Sequence, residues 1–404
     1  MNKKLNTMFI LAPLVLASLV SCGENSSSET SNSSLTTEET TSSTNPASSS
    51  TTEEEVKTED IFISELITSG ISGYIEIGNN TGKTVNLDGY KINIYKYDKL
   101  SVSIDLSDKS LENNKVLVFS NKSSDKYDGD QIYLDDDYIT GRNHIELVKN
   151  DVCTDSISYS GYNVGYFEDV GLIRFKESYY AYPKFDLLNF FEVKQDVFTY
   201  LGTLDVNLTM EEFLKGPKIN ESYLDLPFSD ESAKGKGGFI KEAHVVSLGD
   251  GDTTGFKELD QTVRYLLIDT PEMAHGQVIE QPWARAAKKY NNRVLTEAKH
   301  IMIQSNLDYP LNETYGRYLG YVWYTDLVNP QIEDYRLLNY EMVFNGLARE
   351  NPGSFKTMFS SDEINYSYYV KYAGNYCTKY KIGVHGDPGN DPNYDYSHST
   401  YIGD

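Results

Sequence analysis

Two acidic knots flank short apolar runs in this chain. "GDGDT" at 249–253 carries Asp250 and Asp252, and "IDTPE" at 268–272 carries Asp269 and Glu272. Arg264 lies in the apolar run that leads into the second knot, and Arg317 lies in "TYGRYLGYVW". Hard divalent cations such as calcium take several oxygen ligands from carboxylates, carbonyls and water. Two aspartates on different strands can hold one such ion and leave room for water and a substrate. A guanidinium fork grips a phosphate through paired, charge-assisted hydrogen bonds. Carboxylates, a cation and two arginines together fit hydrolysis of a phosphodiester. One carboxylate activates water, while the cation and the arginines stabilise the charge that builds on phosphorus. Each motif has a plainer meaning when alone: a turn, a strand exit, an arginine paired with an acid. The combination carries the expectation.

The elements that must position these residues are short. "AHVVSL", "TVRYLLID", "HIMIQS" and "YLGYVWYT" read as strands. "PWARAAKKYNNRVLTEAKH" reads as a helix opened by Pro282, with Trp283, Ala287, Tyr290, Val294 and Ala298 on one face. "IEDYRLLNYEMVFNGL" reads as a second helix ending near Gly346. A third is expected from "SSDE", with a capping box between Ser360 and Glu363. Its apolar stripe would be Ile364, Tyr368, Tyr372, Tyr376 and Tyr380, read as core packing. Short strands with segregated helices give an α+β domain, a small barrel with helices packed on it.

Residues 59–206 follow another rule. "IFISELITSG", "GYIEIGNN", "YKINIYKY", "KVLVFSN" and "HIELVKN" alternate in short runs separated by polar turns, the pattern of an all-β sandwich. Its "LDDDY" at 134–138 reads as a solvated loop. Residues 207–238 read as a linker with possible short helices, and 385–404, rich in Gly, Asn and Asp, as a disordered tail.

Two resemblances sharpen this reading. "ISELI", "GYIEIGNNTGKTVNLDGYKI", "HIELVKNDVCTDSI" and "FDLLNFFEVKQDVFTYLGTLD" resemble the lamin-tail domain, which implies an immunoglobulin-like sandwich. "VVSLGDGDTTGF", "VRYLLIDTPEM", "ARAAKKYNNRVLTEAK", "TYGRYLGYVW" and "NYEMVFNGLARE" resemble the staphylococcal nuclease, or thermonuclease, family in its order. That resemblance covers 239–384 and implies an OB-fold barrel with three helices and a calcium-dependent nuclease acting on DNA and RNA. It makes Asp252 and Asp269 the Ca2+ ligands, with the Thr270 carbonyl as a third. It makes Glu272 the general base, Arg264 and Arg317 the phosphate-binding arginines, and Asp250 a supporting acid. Thr314 before Tyr315, and "RENPGS" after Ala348, depart from the family pattern and bear on how a polynucleotide docks.

The ends of the chain set the expected location. "MNKK" followed by "MFILAPLVLASLV" is a targeting segment, and "LVSC" ending at Cys22 resembles a bacterial lipobox. The expectation is cleavage before Cys22, lipidation of its thiol, and a protein held on the extracytoplasmic face of the cell membrane. Residues 23–58 are Ser, Thr, Glu and Asn with almost nothing apolar, which reads as a flexible stalk. The formal net charge of −24 over 404 residues argues against tight, non-specific nucleic-acid binding. Cys153 and Cys377 are expected to be free and buried, and the protein monomeric. Two other readings stand beside the nuclease. One is a receptor that binds nucleic acid without cutting it. The other is an adhesin acting through the sandwich, whose partner the sequence does not name.

Overall fold

In the computed structural model of the protein, residues 56–158, 169–228, 237–305, 315–351, 364–386 and 390–403 are described. The targeting segment with Cys22, most of the stalk, Thr314, Ser360 and Glu363 lie outside them. The described part of the first half is built on two larger sheets, with a short pair Val85–Asn86 and Ser110–Leu111 beside them. One runs in the order Phe190–Lys194, Val170–Arg174, Phe62–Ser69, Ser72–Gly78, Val116–Ser120, Ile132–Tyr133. The other runs Val152–Ile157, Asn143–Lys149, Tyr90–Lys96, Lys99–Asp105. Alternate side chains from both fill one core: Leu66, Ile75 and Phe119 from the first sheet meet Ile92, Ile145 and Leu147 from the second. Period-two alternation is what half-buried strands require. Asp135, Asp136 and Asp137 are exposed, as a solvated loop would be.

The second half is a seven-stranded mixed sheet with helices. Its order is Phe239–Ile240, His300–Ser305, Tyr318–Thr325, Thr262–Tyr265, Thr253–Phe256, Val245–Leu248, with Arg336–Leu337 added against Tyr318–Thr325. The two edge strands are consecutive in the chain, and Ala243 between them donates to the Ile301 carbonyl. Three helices pack there: α2 (Ala284–Glu297), α3 (Leu338–Phe344) and α4 (Tyr366–Tyr380).

Several sequence expectations change. The run Val263–Ile268 is not one strand. Leu267 is left-handed at φ 67°, which breaks it into Thr262–Tyr265 and Ile268–Asp269. The second helix is shorter than its apolar pattern, because Arg336–Leu337 pairs with the sheet instead. On α4 the fully buried positions are Tyr366, Tyr369, Val370, Ala373 and Cys377 together with Tyr372, while Tyr380 is exposed. The stripe is rotated because α4 is buried on two sides. Cys377 is buried and Cys153 half-buried, and both are free.

The described part of the expected linker, 207–228 and 237–238, carries short helices and packs into the core. Its helix α1 (Met210–Leu214) is capped by the Thr209 hydroxyl, which accepts from the Glu212 amide. Its Phe213 stacks on Tyr369 at 4.2 Å and meets Phe175 and Tyr372 edge-on. Tyr372 donates to the Leu188 carbonyl, and Lys371 pairs with Glu192 at 2.6 Å. Composition suggested a tether, but one aromatic at the right place makes a joint. The tail also departs from expectation. Tyr394–Asp395 pairs with Thr400–Tyr401 in a hairpin, held by tyrosines that a count of Gly, Asn and Asp overlooks. No helix among the described residues is long and apolar enough to cross a membrane.

Candidate active site

The acidic knots meet because of register and one kink. Thr253 faces Arg264 across the antiparallel pair, so the guanidinium lies beside Asp252. The Tyr265 amide donates to the Asp252 carbonyl and fixes the loop to the neighbouring strand. The left-handed Leu267 then turns the chain, and the Asn351 amide holds its carbonyl at 2.7 Å. A left-handed residue without glycine's freedom costs about 1–2 kcal/mol, and here it swings Asp269 back toward Arg264. Arg264 meets Asp252 and Asp269 with one nitrogen each, both at 2.6 Å. The Thr270 amide donates to the same Asp252 oxygen that Arg264 meets, at 2.7 Å.

Asp252 is nearly buried, and burial lifts its carboxyl to about 6. Arg264 opposes that rise, Asp250 adds to it, and the Thr270 amide opposes it. Asp250 supports the loop by accepting from the Asp252 amide at 3.3 Å. Beneath the loop lies a buried network that sequence reading missed. The Asn291 side chain on α2 donates to the Asp250 carbonyl at 3.0 Å and accepts from the Tyr265 hydroxyl at 2.9 Å. The Tyr265 hydroxyl also meets Thr254 Oγ1 at 2.8 Å. Asn291 sits between charged and polar neighbours in "KKYNNR", so only its place on the apolar face could have singled it out.

Arg317 approaches from the other side, with a nitrogen 3.4 Å from Thr253 Oγ1 and its guanidinium over the exposed Tyr315 ring. Glu272 sits on the loop after Pro271 with a half-exposed side chain. Among the described residues its carboxylate meets no lysine or arginine, and His275 Nδ1 lies 4.0 Å away. Asp250, Asp252, Arg264, Asp269, Glu272 and Arg317 all line one open cleft of about 860 Å³. Thr270 is buried behind it. Lys288 and Met273 line this cleft and also an adjoining groove that reaches Lys289.

Among the described residues no three His, Cys, Asp or Glu side chains gather into a metal cage. The donor chemistry nevertheless suits a hard cation. Two carboxylates converge within contact of one guanidinium, with Asp250 adjoining. Water and substrate oxygens would have to complete a sphere of six to eight ligands.

Residues 262–373 match the family described as Staphylococcal nuclease homologue. The match begins after the first acidic knot. The chain is 29% identical to a thermonuclease of Staphylococcus intermedius over 127 residues, 31% of this chain and 67% of that protein. It is 28% identical to a thermonuclease of Staphylococcus hyicus over 133 residues, 31% of this chain and 72% of that protein. Residues 262–373 are thus a nuclease-homologue domain within a longer chain.

Proposed function

We propose that this protein is a calcium-dependent nuclease that hydrolyses phosphodiester bonds of extracellular DNA or RNA. The observation that carries the reading is the convergence of Asp252, Asp269 and Arg264 in a cleft shared with Glu272 and Arg317. Asp252, Asp269 and the Thr270 carbonyl would hold calcium, which supplies Lewis-acid polarisation of a phosphoryl oxygen when bound. Arg264 and Arg317 bind the non-bridging oxygens, and both lie at the cleft wall. To do so, Arg264 must turn part of its fork from the aspartates to the phosphate. Glu272 takes a proton from the attacking water, a role open to it because among the described residues no lysine or arginine pairs with its carboxylate and only His275 Nδ1 stands near, at 4.0 Å. A binding protein would have no use for a free carboxylate facing a polyanion.

The test uses the full chain. Cleavage of a labelled oligonucleotide should require calcium and stop on chelation. Glu272→Gln should lower turnover roughly a hundred- to ten-thousandfold while oligonucleotide affinity stays near that of the parent. Full turnover in Glu272→Gln removes the base assignment. Absence of cleavage at any calcium concentration favours the receptor reading.

The location is part of the same proposal and rests on the sequence alone. Lipidation of Cys22 would tether the enzyme to the outer face of the membrane, with 23–58 giving reach. Cys22→Ala should move the protein to the medium or leave an unprocessed precursor. Persistent lipid labelling of that variant would refute the anchor.

A further inference from the structure

The hairpin at the C-terminus docks on the loop that carries Glu272. That loop is closed at its neck. The Gln281 amide donates to the Glu272 carbonyl, and the Glu272 amide donates to the Gln281 side chain, both at 2.9 Å. Its tip is not held by burial, since Ile279 is 64% exposed and Val278 39%. The tip keeps a backbone bridge of its own between His275 and Val278, and the loop is joined to the rest of the domain by polar contacts near the neck. The tail supplies them. Tyr394 donates to the Glu280 carbonyl at 2.7 Å, and Tyr401 donates to the Gln281 carbonyl at 3.3 Å. Asp391 accepts from the Trp283 amide at 2.7 Å, where α2 begins. The Arg285 guanidinium lies 4.3 Å from the centre of the Tyr401 ring and pairs with Glu280 at 2.8 Å.

The hairpin is itself braced. The Tyr394 ring packs edge-on against Tyr401, and the Ile402 amide donates to the Asn393 carbonyl. At its near end Asn390 donates to the Gly383 carbonyl beyond α4, which ties the tail to the domain. We propose that this hairpin is a positioning device. By clamping Glu280 and Gln281 it fixes the neck of the loop, and the neck fixes where the Glu272 carboxylate stands in the cleft. The inference rests on the reading of Glu272 as the base. Among the described residues no lysine or arginine holds the Glu272 carboxylate, and His275 reaches it only at 4.0 Å, so its place depends on its backbone; a displacement of about 1 Å in a catalytic group can cost on the order of a hundredfold in rate.

The test crosses the clamp with the base. Tyr394→Phe/Tyr401→Phe, and a chain ending at Gly386, are each made in the Glu272 and Glu272→Gln backgrounds. With Glu272 present, kcat should fall at least about tenfold while KM for the oligonucleotide changes less than about twofold. With Gln at 272 the same changes should cost nothing further, because a device that acts through Glu272 has nothing left to act on. Amide hydrogen exchange over 272–281 should quicken in both clamp variants. If the truncated chain does not fold, the paired Tyr→Phe variant decides. Equal losses in both backgrounds, unchanged kcat, or unchanged exchange would overturn the clamp. No loss from Glu272→Gln alone would instead remove the reading beneath it, and this difference is visible before any tail variant is compared.

Discussion

At the scale of single residues the site depends as much on what is small as on what is charged. Gly251 separates Asp250 from Asp252, and a Cβ there would stand 2.7 Å from Thr270 Cγ2 and 2.9 Å from the Ala287 Cβ. The acidic loop can lie on α2 and against Thr270 only because that atom is missing. Gly251→Ala should therefore push both aspartates outward. Overpacking of this kind costs about 1–3 kcal/mol, and here calcium affinity should suffer with it. Isothermal titration with calcium checks this, and unchanged affinity would show that the loop does not need the close approach. The acids and arginines themselves were legible, because their charge is improbable beside apolar strands. Gly251 stood in the same motif but looked like an ordinary turn residue. Its need for space comes from Ala287 and Thr270, which approach it only in the fold.

At the scale of elements, periodicity found strands and helices but not where they stop. The run "TVRYLLID" alternates and is apolar, yet the kink at Leu267 depends on contact with Asn351, far along the chain. The start of the second helix pattern was lost to pairing between Arg336–Leu337 and a strand. Both are tertiary effects that override local preference. Paired strands also hide a titration. Glu65 lies directly opposite Glu76 across Phe62–Ser69 and Ser72–Gly78, and both are buried. Burial lifts Glu76 to about 8, against the pull of the Ser64 hydroxyl and the Gly202 amide. Burial, aided by the charge of Glu76, also raises Glu65. A carboxyl whose folded value exceeds its unfolded one near 4.5 favours the fold fully at low pH. That stability is lost as pH rises toward about 8. The melting temperature of the parent should thus fall relative to Glu76→Gln between about pH 5 and about pH 9. Parallel curves would show that the pair does not titrate in that window.

At the scale of the whole molecule, the two halves meet at an aromatic cluster flanked by the Lys371–Glu192 and Lys379–Asp186 ion pairs. Phe175 and Phe191 come from the sandwich, Phe213 from α1, and Tyr369 and Tyr372 from α4, all in one continuous core. The Tyr340 hydroxyl adds a bond to the Leu214 carbonyl. The sandwich is therefore packed against the nuclease-homologue domain and is not a freely swinging spacer. Separate domains would melt separately, whereas halves that share a core should unfold together. Phe213 is fully buried at the centre of that joint. Phe213→Ala removes a ring from between both halves, and such cavities cost about 3–5 kcal/mol. The expected outcome is one calorimetric transition in the parent, and two in the variant with the lower one shifted down. α4 carries Tyr369 and Tyr372 and also packs on the Arg349–Glu350 strand that pairs with Asp269, so cleavage should weaken in the variant well below its first transition. Two transitions already present in the parent would mean that the halves fold independently and that the aromatic joint does not couple the sandwich to the site.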